Sequence, residues 1–369
     1  MLFTGILSPC INLSAQQNAA QKEPYFFNSK VIPSTPVKNQ AATNTCWCFA
    51  STSLLESQCK QKSGRELDLS EMYTVRNIYL EKARNYILRQ GHAQFGEGGL
   101  GHDEIHAVER YGAMPENVYS GLLPGETKYN HQTLFPLLQK YLDSILLHIP
   151  VADNWIDGYK KIIDDHLGVP PSEFIFNGKK YTPRSFAREV LQFNANDYVY
   201  LTAFTHHPYY KNFILEVPDN FSNQEYYNVP INELLSIVKQ SINKGYSVMW
   251  DADVSNKGFM QGMGFALNLE ENVNYSANDL VPDMKEAIYN AELRQKLFEN
   301  LTTQDDHLMH ITGIETTKGG KTFFIVKNSW GVVGNFKGYI NVSEAYFSIN
   351  TISIVLPRAA LSKDFGGKL

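Results

Sequence analysis

Cys46 is the residue best placed to do chemistry, and the stretch around it, VKNQAATNTCWCFASTSLLES from Val37 to Ser57, explains why. A cysteine attacks as the thiolate, so its free pKa near ~8.5 has to fall, in paired sites to as low as ~3.5. Thr43, Asn44 and Thr45 can each accept a backbone N–H, which predicts a helix capped at Asn44 or Thr45 that begins at or next to Cys46. The thiol then sits at the positive end of a helix dipole. That end supplies at most ~2 kcal/mol, whereas the full drop is worth roughly 6 to 7 kcal/mol. A cation must therefore stand beside the sulfur, and histidine can both carry that charge and shuttle a proton near neutral pH.

The other cysteines, Cys10, Cys48 and Cys59, are too few and too clustered for a disulfide scaffold. Cys46 and Cys48 lie two residues apart on a helix and point to nearly opposite sides, which disfavours a bridge between them. No Cys/His spacing reads as a zinc site. His102 and His106 stand at i and i+4, but without the acid position or third ligand of a metal helix they are expected to be solvated or hydrogen-bonded. No metal or other cofactor is expected.

Farther along, Asp305-Asp306-His307-Leu308-Met309-His310 reads as a loop entering a strand. Thr322 to Val326 is a second strand running into Lys327-Asn328-Ser329-Trp330-Gly331. His310, three residues after His307, turns to the opposite strand face and is expected to be packed or hydrogen-bonded. Asp251 and Asp253 end an apolar strand and are expected to hold a turn.

Gln40 six residues before Cys46-Trp47-Cys48-Phe49 resembles the nucleophile segment of papain-like cysteine peptidases, with Ala41 to Thr45 replacing the family's usual Gly-Ser-Cys-Gly-Ser. Asn328-Ser329-Trp330-Gly331 matches the same family. The segments Tyr181 to Phe186, His207-Pro208-Tyr209, Tyr226 to Ile231 and Gly245 to Val254 resemble its bleomycin hydrolase and aminopeptidase C branch, peptidase family C1B, and Asp306 to Met309 falls on that branch's Asp-His-x-Met. The resemblance, from about Asn39 to Ile354, implies Cys46 as nucleophile, His307 as base and Asn328 as the group that orients it. It also implies that Trp330 shields the His–Asn bond, that Gln40 joins the Cys46 backbone N–H in an oxyanion hole, and that Gly98 and Gly99 line the substrate cleft.

These residues need two walls. The resemblance implies an α+β fold with a papain-like two-lobe plan: a helical lobe carrying Cys46, a β-barrel-like lobe carrying His307 and Asn328, and the cleft between them. Ser70 is placed to cap a helix bearing Met72, Val75, Ile78 and Tyr79, and Asp103 to Tyr111 reads as a helix ended by Gly112. Stripes at Leu134, Leu137, Leu138, Tyr141 and Ile145, and at Ile156, Tyr159, Ile163 and Leu167, mark two more helices, with a third opened by Thr182-Pro183. Such stripes are ordinarily core, though some could be subunit contacts. The expected organisation is residues 1–16 as a signal-peptide remnant, 17–123 as the helical lobe, 124–230 as a helical insertion, 231–357 as the β-rich lobe and 358–369 as a tail. The insertion makes the Cys-to-His spacing far longer than the roughly 130 to 150 residues of simple papain-like enzymes.

A net charge of −5 gives no electrostatic case for nucleic acid. The apolar run near the start is too short for a membrane span. If residues 1–16 are an export signal the protein is periplasmic or extracellular, and otherwise cytoplasmic. The branch implies a peptide substrate, an acyl-enzyme mechanism and a homo-oligomer, with hexamers known in it. Its C-terminal arm commonly lies in the cleft, where the terminal carboxylate anchors the substrate's amino group and makes the enzyme an aminopeptidase. Here the ending differs, and Gly366-Gly367 points to flexibility. Aminopeptidase is the first reading, with an open-cleft endopeptidase and a non-catalytic peptide-binding module as alternatives.

Overall fold

The computed structural model describes residues 25–270, 272–276 and 279–367. The export signal expected in residues 1–16 lies outside them. The helices are α1 (Cys46–Ser63), α2 (Glu71–Leu88), α3 (Gly101–Tyr111), α4 (Leu134–Leu146), α5 (Trp155–Leu167), α6 (Pro183–Phe186), α7 (Ile231–Asn243), α8 (Ala291–Glu299), α9 (Glu344–Asn350) and α10 (Lys363–Gly366). The strands are β1 (Phe26–Val31), β2 (Phe174–Phe176), β3 (Lys179–Tyr181), β4 (Tyr198–Thr202), β5 (Asn212–Ile214), β6 (Glu225–Asn228) and β7 (Val248–Ala252). They continue with β8 (Phe259–Met260), β9 (Phe265–Ala266), β10 (His307–Thr317), β11 (Thr322–Lys327), β12 (Tyr339–Ser343) and β13 (Thr351–Pro357).

The fold is α+β, with one correction to its second half. The main sheet runs in the open order β5-β6-β4-β13-β7-β10-β11-β12-β9-β8, with β1 added on β10, and does not close into a barrel. Residues 124–230 contribute α4 and α5, but from Tyr198 onward they also form β4, β5 and β6 of this sheet. Leu134 and Leu138 of α4 and Tyr159, Ile163 and Leu167 of α5 are buried in the same core as α1 and α2, while Leu137 is exposed. Thr182 accepts the Ser185 N–H, and Pro183 opens the short α6 as expected.

Local signals account for the elements that carry the site. Ser70 caps α2 through the Tyr73 N–H (3.1 Å). Asp103 reaches back to the Leu100 N–H (2.9 Å), and Gly112, with φ of 85°, ends α3. A side chain at Gly112 would collide with the Pro183 main chain, so the residue also allows α3 and α6 to approach. The first fourteen residues of α1 are all buried, because one side faces α2 and α3 and the other lies on β10 and β7. Ser53 is tied to the sheet there: its Oγ meets His310 Nδ1 (2.8 Å), and Lys327 Nζ donates to Ser53 Oγ (2.8 Å).

The C-terminal stretch departs from the expectation of a flexible tail or a cleft-filling arm. Ser362 caps α10 by accepting the Phe365 N–H (3.2 Å), and Lys244 Nζ donates to the carbonyls of Ala360 (2.9 Å) and Leu361 (2.8 Å). Leu361 and Phe365 are buried in the core that includes Ile237 and Leu234 of α7. Two apolar anchors and a capped turn outweigh the glycines, which adopt ordinary helical φ. Ala360, Leu361, Ser362 and Phe365 thus lie against α7, and none of residues 358–367 is among those that line the cleft.

Candidate active site

Helix α1 begins at Cys46, with Thr45 in the capping position but its hydroxyl turned to Thr43 Oγ1 (2.7 Å). The loop before it is fixed from three sides. Ala41 takes φ of 52°, the left-handed region that the family's glycine would occupy freely, and its N–H donates to Asn39 Oδ1 (2.9 Å). Glu97 accepts the Asn44 N–H (3.0 Å) on its carboxylate and the Trp47 indole N–H (3.1 Å) on its carbonyl. Gln40 is drawn to the opposite wall: its N–H donates to the Ser329 carbonyl (2.8 Å), and its Oε1 accepts from Ser329 Oγ (2.6 Å). Nε2 gives one hydrogen to the Thr43 carbonyl (2.8 Å) and keeps the other for the cleft.

The sheet supplies the second wall. His307 is the first residue of β10, and its Nε2 lies 2.7 Å from Asn328 Oδ1. The direction of that bond follows from its neighbours. Asn328 Oδ1 also accepts the Ser329 N–H (2.7 Å), while Nδ2 donates to Gln261 Oε1 (2.9 Å), so the amide is not flipped and His307 Nε2 must donate. The unprotonated Nδ1 is then the base. The Trp330 ring lies over the imidazole, 4.7 Å between centroids and tilted 31°.

Gln40, Cys46, Gly98, His307 and Trp330 line one cleft of about 590 Å³. Gly99 packs beneath it, where a side chain would meet the Trp47 ring and Asp103.

The electrostatics differ from a ready-made thiolate–imidazolium pair. Burial pushes the Cys46 thiol up to about 12, against a hydrogen bond from the Leu308 backbone, and the negative charges of Asp305, Asp251 and Asp219 push the same way. Burial also pushes His307 down to about 4, against the Asn328 bond. Each group alone is neutral at pH 7. Charge separation has to be held by the attraction between sulfur and imidazole, by Leu308 and by whatever neutralises the carboxylates.

The remaining sequence candidates fall outside the chemistry. Cys48 Sγ points away, to the Glu71 carbonyl (3.2 Å) and Glu104 Oε2 (3.1 Å). His310 is packed against Ser53, and His102 is buried with Tyr226 Oη (2.9 Å) on Nδ1 and Ser222 Oγ (2.8 Å) on Nε2, satisfied rather than solvated. Asp253 holds a turn, accepting from Ser255 N (2.9 Å) and Gln304 N (2.9 Å). Asp251 does not: it is fully buried on β7 and accepts from Ser353 Oγ (3.1 Å). His206, His207 and Glu216 bring three potential metal ligands within 4.8 Å. The Gln295 amide, fixed by accepting the Thr205 N–H (2.7 Å), donates to His206 Nδ1 (2.9 Å) and leaves the ring hydrogen on Nε2, where a metal would need a lone pair.

Four contributors escaped the sequence reading. Gln261, which fixes the Asn328 amide, belongs to a loop between β8 and β9 that carries no motif. Glu97 was visible beside Gly98 but had no assigned partner. Asp305 and Asp219 line the cleft, and the Asp305-Asp306 doublet before His307 was the available signal for the first.

Residues 159–369 match the model of the peptidase C1-like family, over half of the chain. The chain belongs to that family. Residues 27–78 of this peptidase C1-like chain, which hold Gln40 and Cys46, also match the papain family cysteine protease model. It is 23% identical to aminopeptidase G of Lactobacillus delbrueckii subsp. lactis, across 91% of this chain and 84% of that one. It is 22% identical to aminopeptidase C of Streptococcus thermophilus, across 95% and 86%. Human bleomycin hydrolase is 23% identical, across 96% and 87%. The crystal structure of PepW from Lactobacillus rhamnosis HN001 shares the fold, with a TM-score of 0.73, 20% identity and coverage of 94% of this chain and 84% of that one.

Proposed function

We propose that this chain is a cysteine-type peptidase and that it acts as an aminopeptidase. The observation that carries the reading is the fixed His307–Asn328 pair, whose free Nδ1 belongs to the cleft that opens onto the thiol at the start of α1. Cys46 Sγ attacks the scissile carbonyl carbon as its proton passes to His307 Nδ1. The oxyanion that forms is received by the second Nε2 hydrogen of Gln40 and the Cys46 backbone N–H. Collapse breaks the C–N bond, and His307 gives its proton to the leaving amine. The thioester left on Cys46 is hydrolysed by a water that His307 deprotonates, which returns the thiol and releases the acid. Aminopeptidase action is supported by the similarity, across nearly the whole chain, to proteins named aminopeptidase C and aminopeptidase G.

Gln40→Ala is expected to lower kcat by about 10²- to 10³-fold with a smaller change in KM, as for other oxyanion donors. Steady-state kinetics on a peptide amide check this; a loss confined to KM contradicts the assignment. A second reading, open-cleft endopeptidase action, is favoured by Ala360, Leu361 and Phe365 lying against α7. Comparing cleavage of one peptide with its amino end free and acetylated separates the two.

A further inference from the structure

Residues 358–367 do not line the cleft, and the cleft wall itself carries groups suited to the substrate's amino group. Two carboxyl groups line the cleft with Cys46, Asp219 from the loop after β5 and Asp305 two residues before His307, and a third, Asp251 of β7, is fully buried. Asp219 lies directly against Gly98, where a side chain on that glycine would overlap its Oδ2. Asp251 stands opposite Leu308 in the β7–β10 register, one position from His307.

Two oxygens of these acids lack donors. Asp251 is fully buried, and its Oδ1 receives no hydrogen bond from any donor among the described residues; Asp305 Oδ2 is likewise buried without one. Burial and the neighbouring acids push both carboxyl groups above the usual carboxylate range. The charge of Lys82 acts on Asp219, but its Nζ makes no hydrogen bond to these acids: it donates to the carbonyls of Gly96 and Gly98 and stands 5.2 Å from the Phe221 ring centre. Buried carboxylates with so little direct pairing are costly to maintain. A ligand bearing one positive charge and three N–H donors supplies what is missing.

We propose that Asp219 and Asp305 receive the primary ammonium group at the free amino terminus of the peptide substrate. The inference rests on the aminopeptidase reading above. In a peptide cut after its first residue, that nitrogen is only two bonds from the scissile carbonyl carbon. An anchor for it must stand within one residue of Cys46 Sγ, and Asp219 and Asp305 line the same cleft as Cys46 and His307. The ammonium also neutralises the charges that oppose thiolate formation, so binding the correct substrate end eases proton transfer to His307.

The test uses alanine 7-amido-4-methylcoumarin, its acetylated form and the acetyl-Lys-Ala and acetyl-Leu-Ala amides, with the full chain, Asp219→Asn, Asp305→Asn and Cys46→Ala. The expected result is a free-amine preference in kcat/KM that falls by about 10-fold or more in each Asn variant, the size of a charge-assisted contact. Alkylation of Cys46 by iodoacetamide without substrate should become faster in both variants, which a merely structural role would not produce. Unchanged preference in variants that still alkylate at Cys46 overturns the proposal. So does a preference for acetyl-Lys-Ala over both the acetyl-Leu-Ala and free-amine substrates, which assigns the wall to a lysine side chain. Undiminished hydrolysis by Cys46→Ala would instead overturn the cysteine-peptidase reading itself.

Discussion

Cys46→Ala is expected to abolish amide hydrolysis, by about 10⁶-fold in kcat, the order of loss seen when a nucleophile that works with a base is removed. The size follows from how little else in the cleft can attack a carbonyl. Cys48, the next thiol along α1, is fully buried on the far side of the helix and hydrogen-bonded to Glu71 and Glu104. Burial and the neighbouring Glu104 raise its pKa well above that of a free thiol. Cys48→Ala should therefore keep most of the activity. Activity in Cys46→Ala, or loss confined to Cys48→Ala, contradicts the assignment.

His307→Ala should be nearly as damaging, with about a 10⁴-fold fall in kcat. The imidazole is held in one tautomer by a chain of hydrogen bonds, from Gln261 through the Asn328 amide to His307 Nε2. No other histidine can substitute, since His310 is directed at Ser53 on the other face of β10. Exogenous imidazole should restore part of the lost rate if the role is proton transfer; a variant that binds substrate poorly but turns it over at the normal rate would argue for a packing role.

A pH dependence follows from the same pair. The thiol is pushed up to about 12 and the imidazole down to about 4, so in the free enzyme the thiolate is the minor form at neutral pH and grows as protons are removed. Iodoacetamide alkylation of Cys46 should keep rising between pH 6 and pH 9. A plateau beginning near pH 4 would mean that the free enzyme already holds a stable thiolate–imidazolium pair.

The parts legible in the sequence were those whose physics is local. A run of hydroxyl and amide residues ahead of an apolar-flanked cysteine predicted the start of α1 at Cys46, and Ser70, Gly112 and Thr182-Pro183 marked ends that depend on their own side chains. The strand carrying His307 and the one leading to Asn328 were visible from their apolar runs. What was not legible depends on contacts distant in sequence. Asp251 looked like a turn acid beside Asp253, and only the β7–β10 register places it inside the sheet, opposite Leu308 and fully buried. Gln261 has no local signature. The tail misled for a similar reason: Gly366-Gly367 speaks for flexibility, whereas Leu361 and Phe365 find their partners on α7, more than a hundred residues earlier. The barrel-like lobe is an open sheet, because closure depends on how the edge strands meet, and here β5 and β8 remain at opposite ends of one path.

The central claim is that hydrolysis passes through an acyl group carried on Cys46. Its most direct test is to mix the protein with an activated alanine ester, quench in acid within the first turnover and locate the added mass by peptide mapping. An acyl group on the peptide containing Cys46, absent from Cys46→Ala and accumulating in the wild type before product release, is the predicted result. Turnover with no adduct on Cys46, or with the acyl group on Cys48 or Cys59, would contradict it.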